Sequence, residues 1–269
     1  RERAAARFNL DPKQDLFFFK TLHSLALAMT DIRTDQVMQP EHYRELGKSI
    51  GVNLGAAADN RFSDIPETQK SSDPILGLIN LAILRKVPLR TQYNISQIDE
   101  SWNVVKYVDE ALTKYKKSYT LYDFTDMLRV FAETGQSCCP RFAVTFLDEA
   151  QDLSPLQWDI AHMLDRQSER MYCAGDDDQA IYRWAGADVD QFIGLEGGSE
   201  TLSQSYRVPQ LPWEIAQNVA RRIHRRFPKT YKPRDERGMV RRISMVNELD
   251  MSEGSWLILA QAAYLLQDV

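Results

Sequence analysis

The sequence has 269 residues, a formal net charge of −5 and 43% hydrophobic residues, which fits a folded chain of one large or two smaller domains. No uninterrupted apolar stretch reaches the roughly 20 residues of a membrane-spanning helix, and residues 1–7 lack the apolar core of a signal peptide. Three cysteines, Cys138, Cys139 and Cys173, are too few and too irregularly spaced for a disulfide framework or a zinc site. We therefore expect a cytosolic protein, from a bacterial or phage-infected host cytosol.

The N-terminal third combines one strand-like run with a long helical region. Residues 16–19, Leu-Phe-Phe-Phe, form a short apolar run typical of a buried strand, and residues 25–29 are helical in character. Residues 31 to about 117 are more polar, and apolar side chains recur at helical spacing over 74–84 and 102–115. We interpret this region as a helical insertion.

An α/β pattern follows Tyr119. It predicts a helix over 121–134 that Asp123 caps. The continuous apolar run 142–147 is typical of a strand buried on both faces of a parallel sheet. A helix over 155–164 and a second buried strand over 171–174 complete a βαβ unit. Polar residues follow both strands directly, and open α/β sheets bind their ligands at the carboxyl ends of the strands.

Two acidic residues follow the first of these strands. Asp148 is a candidate Mg²⁺ ligand, because this cation prefers one or two carboxylates together with phosphate oxygens and water. Glu149 is a candidate base that deprotonates an attacking water, and a second Mg²⁺ contact through water. Asp-Glu pairs are common in loops, so the strand in front of this pair gives the hypothesis its weight.

A second polar segment, residues 175–187, follows the next strand. Gln179 offers both a donor and an acceptor, which suits a contact with a phosphate or with the attacking water. Tyr182 and Trp184 flank Arg183 and provide aromatic faces beside a positive charge, the combination that binds unpaired bases. Without further context, core packing is the more ordinary use of two such aromatic residues.

A basic stretch lies near the C-terminal end. Ten lysines and arginines fall between residues 221 and 242, against only Asp235 and Glu236. A local positive field of this kind attracts nucleic acid even when the whole chain is acidic. A solvated helix face is an equally good interpretation.

In chain order, these blocks resemble the motifs of the UvrD/Rep-like superfamily 1 DNA helicases. Residues 21–24 resemble motif Ib and residues 122–128 the DFxDLL segment. Residues 146–152 resemble motif II, the DEAQD form of the Walker B box, and residues 175–187 resemble motif III. Residues 202–207 resemble motif IV. Five blocks in the family's order are a specific resemblance that covers most of the chain.

The resemblance implies an architecture and an activity. It implies a RecA-like α/β motor domain with a parallel sheet, formed by residues 1–25 and 116–199, with a helical domain over 26–115. Residues 200–269 would form the beginning of a second RecA-like domain. The implied activity is ATP- and Mg²⁺-dependent translocation on single-stranded DNA and unwinding at duplex junctions. The implied polarity is 3′ to 5′, in repair, replication or recombination.

The same resemblance assigns roles to individual residues. Asp148 would ligate Mg²⁺ and Glu149 would be the catalytic base. Gln151 and Gln179 would sense the γ-phosphate, and Arg207 would contact it. Gln179 and Arg207 would also take part in the catalytic step. Tyr206 would stack near the nucleotide base. Four residues would contact DNA: Thr21, His23, Tyr182 and Trp184.

The sequence also departs from the family pattern. Ala185 stands where the family has arginine, and Ser205 where it has asparagine. No Gly-x-x-x-x-Gly-Lys-Ser/Thr loop, which would bind the phosphates, occurs in the sequence. We expect that loop upstream of Arg1 and motifs V and VI downstream of Val269, so that residues 1–269 alone would be inactive.

Two other functions fit part of the pattern. An Asp-Glu strand end with a Gly-Asp-Asp element resembles the two-metal palm of a template-directed polymerase, but the residues around Gln151 and Trp184 differ from that pattern. A DNA-binding or scaffold relative without ATPase activity would explain the missing phosphate loop.

Overall fold

The computed structural model of the protein describes residues 2–55, 73–245 and 248–260. Parts of the predicted helical insertion and of the predicted domain 200–269 therefore lie outside the described residues. The chain divides into two compact units, Arg1–Glu196 and Gly197–Val269. The helices and strands, in chain order, are α1 (Glu2–Phe8), α2 (Leu22–Met29), α3 (Pro40–Ile50), α4 (Pro74–Leu84), α5 (Leu89–Ile95), α6 (Trp102–Tyr119), α7 (Phe124–Cys138), β1 (Phe142–Leu147), α8 (Pro155–Arg166), β2 (Ser168–Cys173), α9 (Val189–Ile193) and α10 (Gln210–Ala220).

The predicted βαβ unit is present. Strands β1 and β2 pair in parallel, with Phe142 opposite Ser168 and Leu147 opposite Cys173. Helix α8 connects them, and Ser154 caps it by accepting a hydrogen bond from the backbone of Gln157. The parallel α/β architecture predicted from the sequence is therefore confirmed.

The prediction that both faces of the strands are buried is wrong. Leu147 and Cys173 belong to the face that packs against α8. On the opposite face Phe146 is 78% exposed, and its ring stacks on that of Tyr172 at 5.3 Å. Helix α8 packs against the face that carries Leu147, and the opposite face of the same apolar run is exposed at Val144 and Phe146.

Residues 16–19 do not form the predicted strand. The backbone N–H of Phe19 donates to the carbonyl of Leu16 at 3.1 Å and closes a turn. The Asp11 carboxylate accepts from the backbone of Lys13 and Gln14 and fixes the preceding turn. The ring of Phe18 packs on Phe142 at 5.0 Å. A run of four residues is therefore accommodated by surface aromatic packing instead of strand pairing.

The helical region has a core of its own. Val105, Val108 and Leu112 of α6 pack with apolar residues of α3 and α4. The predicted helix 74–84 is confirmed, and α6 extends beyond the predicted 115 to Tyr119, where Thr120 adopts a left-handed conformation. Among the described residues, no helix is both long and apolar enough to span a bilayer.

Helix α7 begins three residues later than predicted. Asp123 is its N-cap, as predicted, and accepts a hydrogen bond from the backbone of Asp126 at 2.8 Å. Leu121 and Tyr122 precede the helix as extended chain, and Tyr122 exchanges backbone hydrogen bonds with Gln36 and Met38. This short bridge keeps residues 121 and 122 out of the helix.

The unit Gly197–Val269 contains helix α10, and its other described residues are mainly in loops. Backbone hydrogen bonds from Ser205 to Lys232 and from Lys232 to Ser203 hold two of these loops together, at 2.8 and 2.7 Å. The ring of Trp213 lies edge-on to Tyr231. Motif IV therefore lies on a loop fixed by the residues that follow α10.

Candidate active site

The acidic segments that follow β1 and β2 lie side by side. Because the strands are parallel, their carboxyl ends meet at one edge of the sheet. The backbone N–H of Ala174 donates to Leu147 at 2.7 Å, and that of Ala150 donates to Ala174 at 3.0 Å. The structure thus joins the motif II and motif III segments through the backbone.

Asp148 and Glu149 are exposed at this edge. The backbone N–H of Glu149 donates to the Asp148 carboxylate at 3.0 Å. Glu149 has φ 53° and ψ 40°, a left-handed conformation that is uncommon for residues other than glycine. Residues 150–152 then form one turn of 3-10 helix. The candidate base therefore lies on a sharp turn directly after the strand.

A series of three hydrogen bonds links Glu149 to Gln179. The Gln151 amide donates to Glu149 Oε2 at 2.7 Å, and its oxygen accepts from the backbone N–H of Asp176 at 3.0 Å. The Gln179 amide donates to Asp176 Oδ2 at 2.7 Å. We call these four residues the hydrogen-bond relay. It connects the candidate base with the candidate γ-phosphate contact.

Gly175 permits the relay to form. A Cβ atom at this position would lie 2.6 Å from the side-chain oxygen of Gln151 and 2.9 Å from the ring of Phe192. Both distances are too short for real contacts, so the close approach of the two segments depends on glycine at this position.

Asp176 was not singled out from the sequence. Its carboxylate accepts from the backbone of Asp178 and from the side chain of Gln179, and so orders the turn 177–179. The signal was available, because an acidic residue three positions before glutamine is the spacing of a capping box.

The donor set fits Mg²⁺. The carboxylates of Asp148 and Glu149 are exposed side by side at a strand end, and Mg²⁺ takes few protein ligands when phosphate and water supply the others. The described residues hold no group of three or more His, Cys, Asp or Glu side chains arranged for a metal ion. Nearby, burial and the charge of Glu149 raise the pKa of Asp152, whose Oδ1 atom is buried without a hydrogen-bond partner.

The aromatic part of motif III is at the surface. Trp184 is 64% exposed, and its ring lies 6.5 Å from that of half-buried Tyr182. Arg183 forms an ion pair with Asp190 at 3.3 Å, and its carbonyl accepts from Arg85, the C-cap residue of α4, at 3.0 Å. Trp184 is therefore a surface residue and not a core residue in the part of the chain that the structure describes.

Motifs II and III are also joined at their far ends. The backbone N–H of Asp188 donates to the carbonyl of Leu153 at 2.8 Å. The carbonyl of Asp188 accepts from the indole of Trp158, a buried residue of α8, at 3.2 Å. Both ends of motif III are thus anchored on the βαβ unit, with the exposed Trp184 between them.

The structure gives two of the predicted DNA contacts local roles. Thr21 is exposed and caps α2, where its hydroxyl accepts from the backbone of Ser24 at 3.3 Å. The ring of His23 lies against Phe124 at 5.8 Å, and its Nε2 atom is buried without a partner. Burial lowers the pKa of His23 to about 4. His23 therefore lies largely inside the unit, and the structure does not bring it together with Trp184.

Tyr206 and Arg207 lie in the unit Gly197–Val269. Both side chains are exposed, and the Ser205 hydroxyl accepts from the backbone of Arg207 and Val208 at 3.4 and 3.1 Å. The contacts of these two residues with the nucleotide stay predictions.

Comparison with known proteins identifies the family. The description "UvrD/REP helicase N-terminal domain" matches residues 2–197. The chain is 25% identical over 245 residues to the ATP-dependent DNA helicase PcrA of Leuconostoc citreum, covering 85% of this chain and 32% of that protein. It is 27% identical over 171 residues to DNA helicase II of Rickettsia typhi, covering 62% and 24%. The RecBCD enzyme subunit RecB of Buchnera aphidicola is 25% identical over 138 residues, covering 48% and 11%.

The chain thus spans about a third or less of the length of these relatives. The family match includes α1 to α9 and both strands, and with them motifs II and III. It decides against the polymerase interpretation of the acidic strand ends. The chain belongs to the UvrD/REP helicase family, and residues 2–197 correspond to its N-terminal domain.

Proposed function

We propose that this chain contributes the water-activating and phosphate-sensing part of an ATPase that drives movement along single-stranded DNA. One observation carries the proposal: the hydrogen-bond relay links Glu149 to Gln179, and the exposed Trp184 follows Gln179 by five positions. One short segment can then respond to both a nucleotide and a DNA base. Membership of a helicase family supports the same reading.

In this proposal, Asp148 ligates Mg²⁺ and Glu149 accepts the proton of the attacking water. The Mg²⁺ ion, when bound, neutralises charge on the phosphates. Glu149 is exposed and lies next to Asp148 in sequence, so both side chains can face a ligand at the sheet edge. Gln179, also exposed, is the proposed contact to the γ-phosphate. By the family resemblance, Tyr206 and Arg207, in the proposed second motor domain 200–269, would also contact the nucleotide.

Coupling to DNA follows from the anchoring of motif III. The backbone N–H of Asp176 donates to Gln151 and the carbonyl of Asp188 accepts from Trp158. These two bonds hold the ends of the segment, and Trp184 lies between them on a 3-10 turn. A change in the contacts of Gln179 can therefore shift Trp184 between two stacking positions on a DNA base. Coupling between two sites requires a segment with two discrete arrangements of this kind. Tyr182 provides the neighbouring aromatic surface.

We extend the proposal to the whole protein by its family. Its substrates would be single-stranded DNA and duplex junctions, its polarity 3′ to 5′, and its pathway repair, replication or recombination in the cytosol. The domain boundaries proposed from the sequence, 1–25 with 116–199, 26–115 and 200–269, belong to the same proposal. The basic stretch 221–242 would lie beside the DNA.

Replacing the proposed base tests this function. In the intact protein, Glu149→Gln should abolish DNA-stimulated ATP hydrolysis and leave nucleotide binding within about twofold, because the amide is isosteric but accepts no proton. Glu110→Gln, an exposed change on α6, is the matched control and should leave turnover unaltered. Substantial residual hydrolysis in Glu149→Gln would reject Glu149 as the base and favour a scaffold role.

A second test concerns the phosphates. The sequence contains no Gly-x-x-x-x-Gly-Lys-Ser/Thr loop. We therefore propose that the triphosphate is bound by residues that do not belong to this 269-residue chain. Purified residues 1–269 should then show no ATP hydrolysis above buffer, with or without single-stranded DNA. Robust hydrolysis by this chain alone would contradict that proposal.

A further inference from the structure

We infer that Gln151 is a positioning residue: it holds the Glu149 carboxylate against the segment that follows β2 and does not itself contact the γ-phosphate. The inference rests on the proposed function of Glu149 as base. It differs from the role that the family resemblance implied for Gln151, which was a direct phosphate contact.

Both ends of the Gln151 amide are engaged inside the protein. The residue is 1% exposed, its side-chain nitrogen donates to Glu149 and its oxygen accepts from Asp176. Because so little of it reaches the surface, a direct phosphate contact would require the amide to move and break these bonds in the interior, where an unpaired polar group is strongly unfavourable. Gln179 is exposed and has no such obstacle.

Glu149 needs a fixed partner. Its side chain is exposed and has several rotatable bonds, so the carboxylate can take many positions. The hydrogen bond from Gln151, at 2.7 Å, selects one of them. Misplacing a catalytic group by about 1 Å can reduce a rate by roughly 100-fold, so a donor that fixes the base affects the chemical step.

Gln151 is itself held in place by the backbone around it. It lies in the 3-10 turn 150–152, whose first residue donates to the carbonyl of Ala174. Gly175 lies so close to the Gln151 amide that a Cβ atom added to Gly175 would be 2.6 Å from the amide oxygen. A movement of the segment 175–179 would therefore be transmitted to Glu149 through Gln151.

The main test is Gln151→Met in the intact protein, because methionine has a similar length but donates and accepts no comparable hydrogen bond. We expect single-turnover hydrolysis at saturating ATP and Mg²⁺ to be on the order of 10- to 100-fold slower. The dissociation constant for ATP should stay within about twofold. Gln92→Met is the control: Gln92 is also 1% exposed and bonded at both ends, to Arg85 and Ser96, but lies in α5. It should lose stability without slowing hydrolysis.

A second variant reaches Gln151 from the other side. Gly175→Ala should displace the Gln151 amide and slow the same step, and its effect should be much smaller when Gln151→Met is already present. Gly77→Ala is the control, because a Cβ atom there meets nothing within 4 Å. This pair keeps the test available if Gln151→Met does not fold.

Three results would overturn the inference. One is an unchanged hydrolysis rate in Gln151→Met. Another is a loss of ATP affinity as large as the loss of rate, which would indicate a direct phosphate contact. The third is full additivity of Gly175→Ala and Gln151→Met. Failure of the proposed function is recognised separately, because it would leave Glu149→Gln with substantial hydrolysis.

Discussion

The ammonium group of Lys116, in the last turn of α6, lies 2.8 Å from the carboxylate of Asp123, the N-cap of α7. It also lies 2.6 Å from Asp126, and all three side chains are largely buried. Burial alone would raise the pKa of Asp123, but the charge and hydrogen bond of Lys116 outweigh it and hold this pKa below its ordinary value. The pair thus joins the last helix of the helical region to the first helix that follows it.

Removing Lys116 should be strongly destabilising. Lys116→Met leaves Asp123 buried without a cation and Asp126 paired with Arg129 alone, so we expect the free energy of unfolding, measured with urea, to fall by about 3–5 kcal/mol. Lys106→Met is the control, because Lys106 lies 3.7 Å from Glu110 on the exposed face of the same helix and should contribute under about 0.5 kcal/mol. A loss below about 1 kcal/mol in Lys116→Met would show that the buried pair is unimportant for stability.

His23 should make stability depend on pH. Its pKa is lowered from 6.5 to about 4 by burial, so between these values the unfolded chain binds a proton that the folded chain does not. The free energy of unfolding therefore has its full value, as far as His23 is concerned, above about pH 6.5. It falls as the pH drops towards 4, by up to about 3 kcal/mol in total. Urea unfolding at several pH values measures this decrease.

His23→Phe removes the titrating group and keeps an aromatic ring beside Phe124. The decrease in stability between pH 6.5 and 4 should then be smaller than in the unmodified chain. His162→Gln, on the exposed side of α8, should keep the original pH dependence. Identical curves for His23→Phe and the unmodified chain would mean that His23 is not the group responsible.

Trp184 should couple hydrolysis to DNA. In the intact protein, Trp184→Ala removes one base-stacking surface, so single-stranded DNA binding should weaken by about 1–3 kcal/mol, with a matching loss of DNA stimulation. Tyr107→Ala, a comparably exposed aromatic residue on α6, is the control and should have no effect on either. Unchanged DNA stimulation in Trp184→Ala would leave the exposed indole without a DNA role.

Gly186 fixes the end of the turn that carries Trp184. Its φ is 104°, and a Cβ atom would lie 3.1 Å from the side chain of Leu81 in α4. Gly186→Ala should therefore cost at least about 1 kcal/mol of unfolding free energy, through backbone strain and crowding. Thermal melting compares it with Gly77→Ala, where the space is free and a helix gains from alanine. Equal melting temperatures would show that the turn adapts.

Local patterns predicted the elements of the fold well. The strand 142–147 and the helix 74–84 have the bounds expected from their apolar runs, and Asp123 caps its helix as expected. These features depend on residues close in sequence, which is the information that spacing and capping preferences contain. Phe146 shows the limit of such patterns, because its exposure depends on which layers cover the sheet.

The sequence predicted which residues lie at the candidate site better than it predicted the contacts between them. Asp148, Glu149 and Gln179 were identified from their positions after the strands, and the structure places them at one sheet edge. The engagement of Gln151 was not predictable, because its partner Asp176 is 25 residues away and the bond forms only when β1 and β2 pair. The interior position of His23 likewise depends on Phe124, about 100 residues further along the chain.

The left-handed backbone of Glu149 has a consequence for stability. Glycine adopts that conformation freely, whereas another residue there loses on the order of 1 kcal/mol. Stability alone would therefore favour glycine directly after Asp148, and the carboxylate at this position lowers the stability of the turn. Glu149→Gly should accordingly melt at a higher temperature than Glu149→Gln, although both lack the base. A thermostable design that optimised this turn would remove the proposed catalytic base.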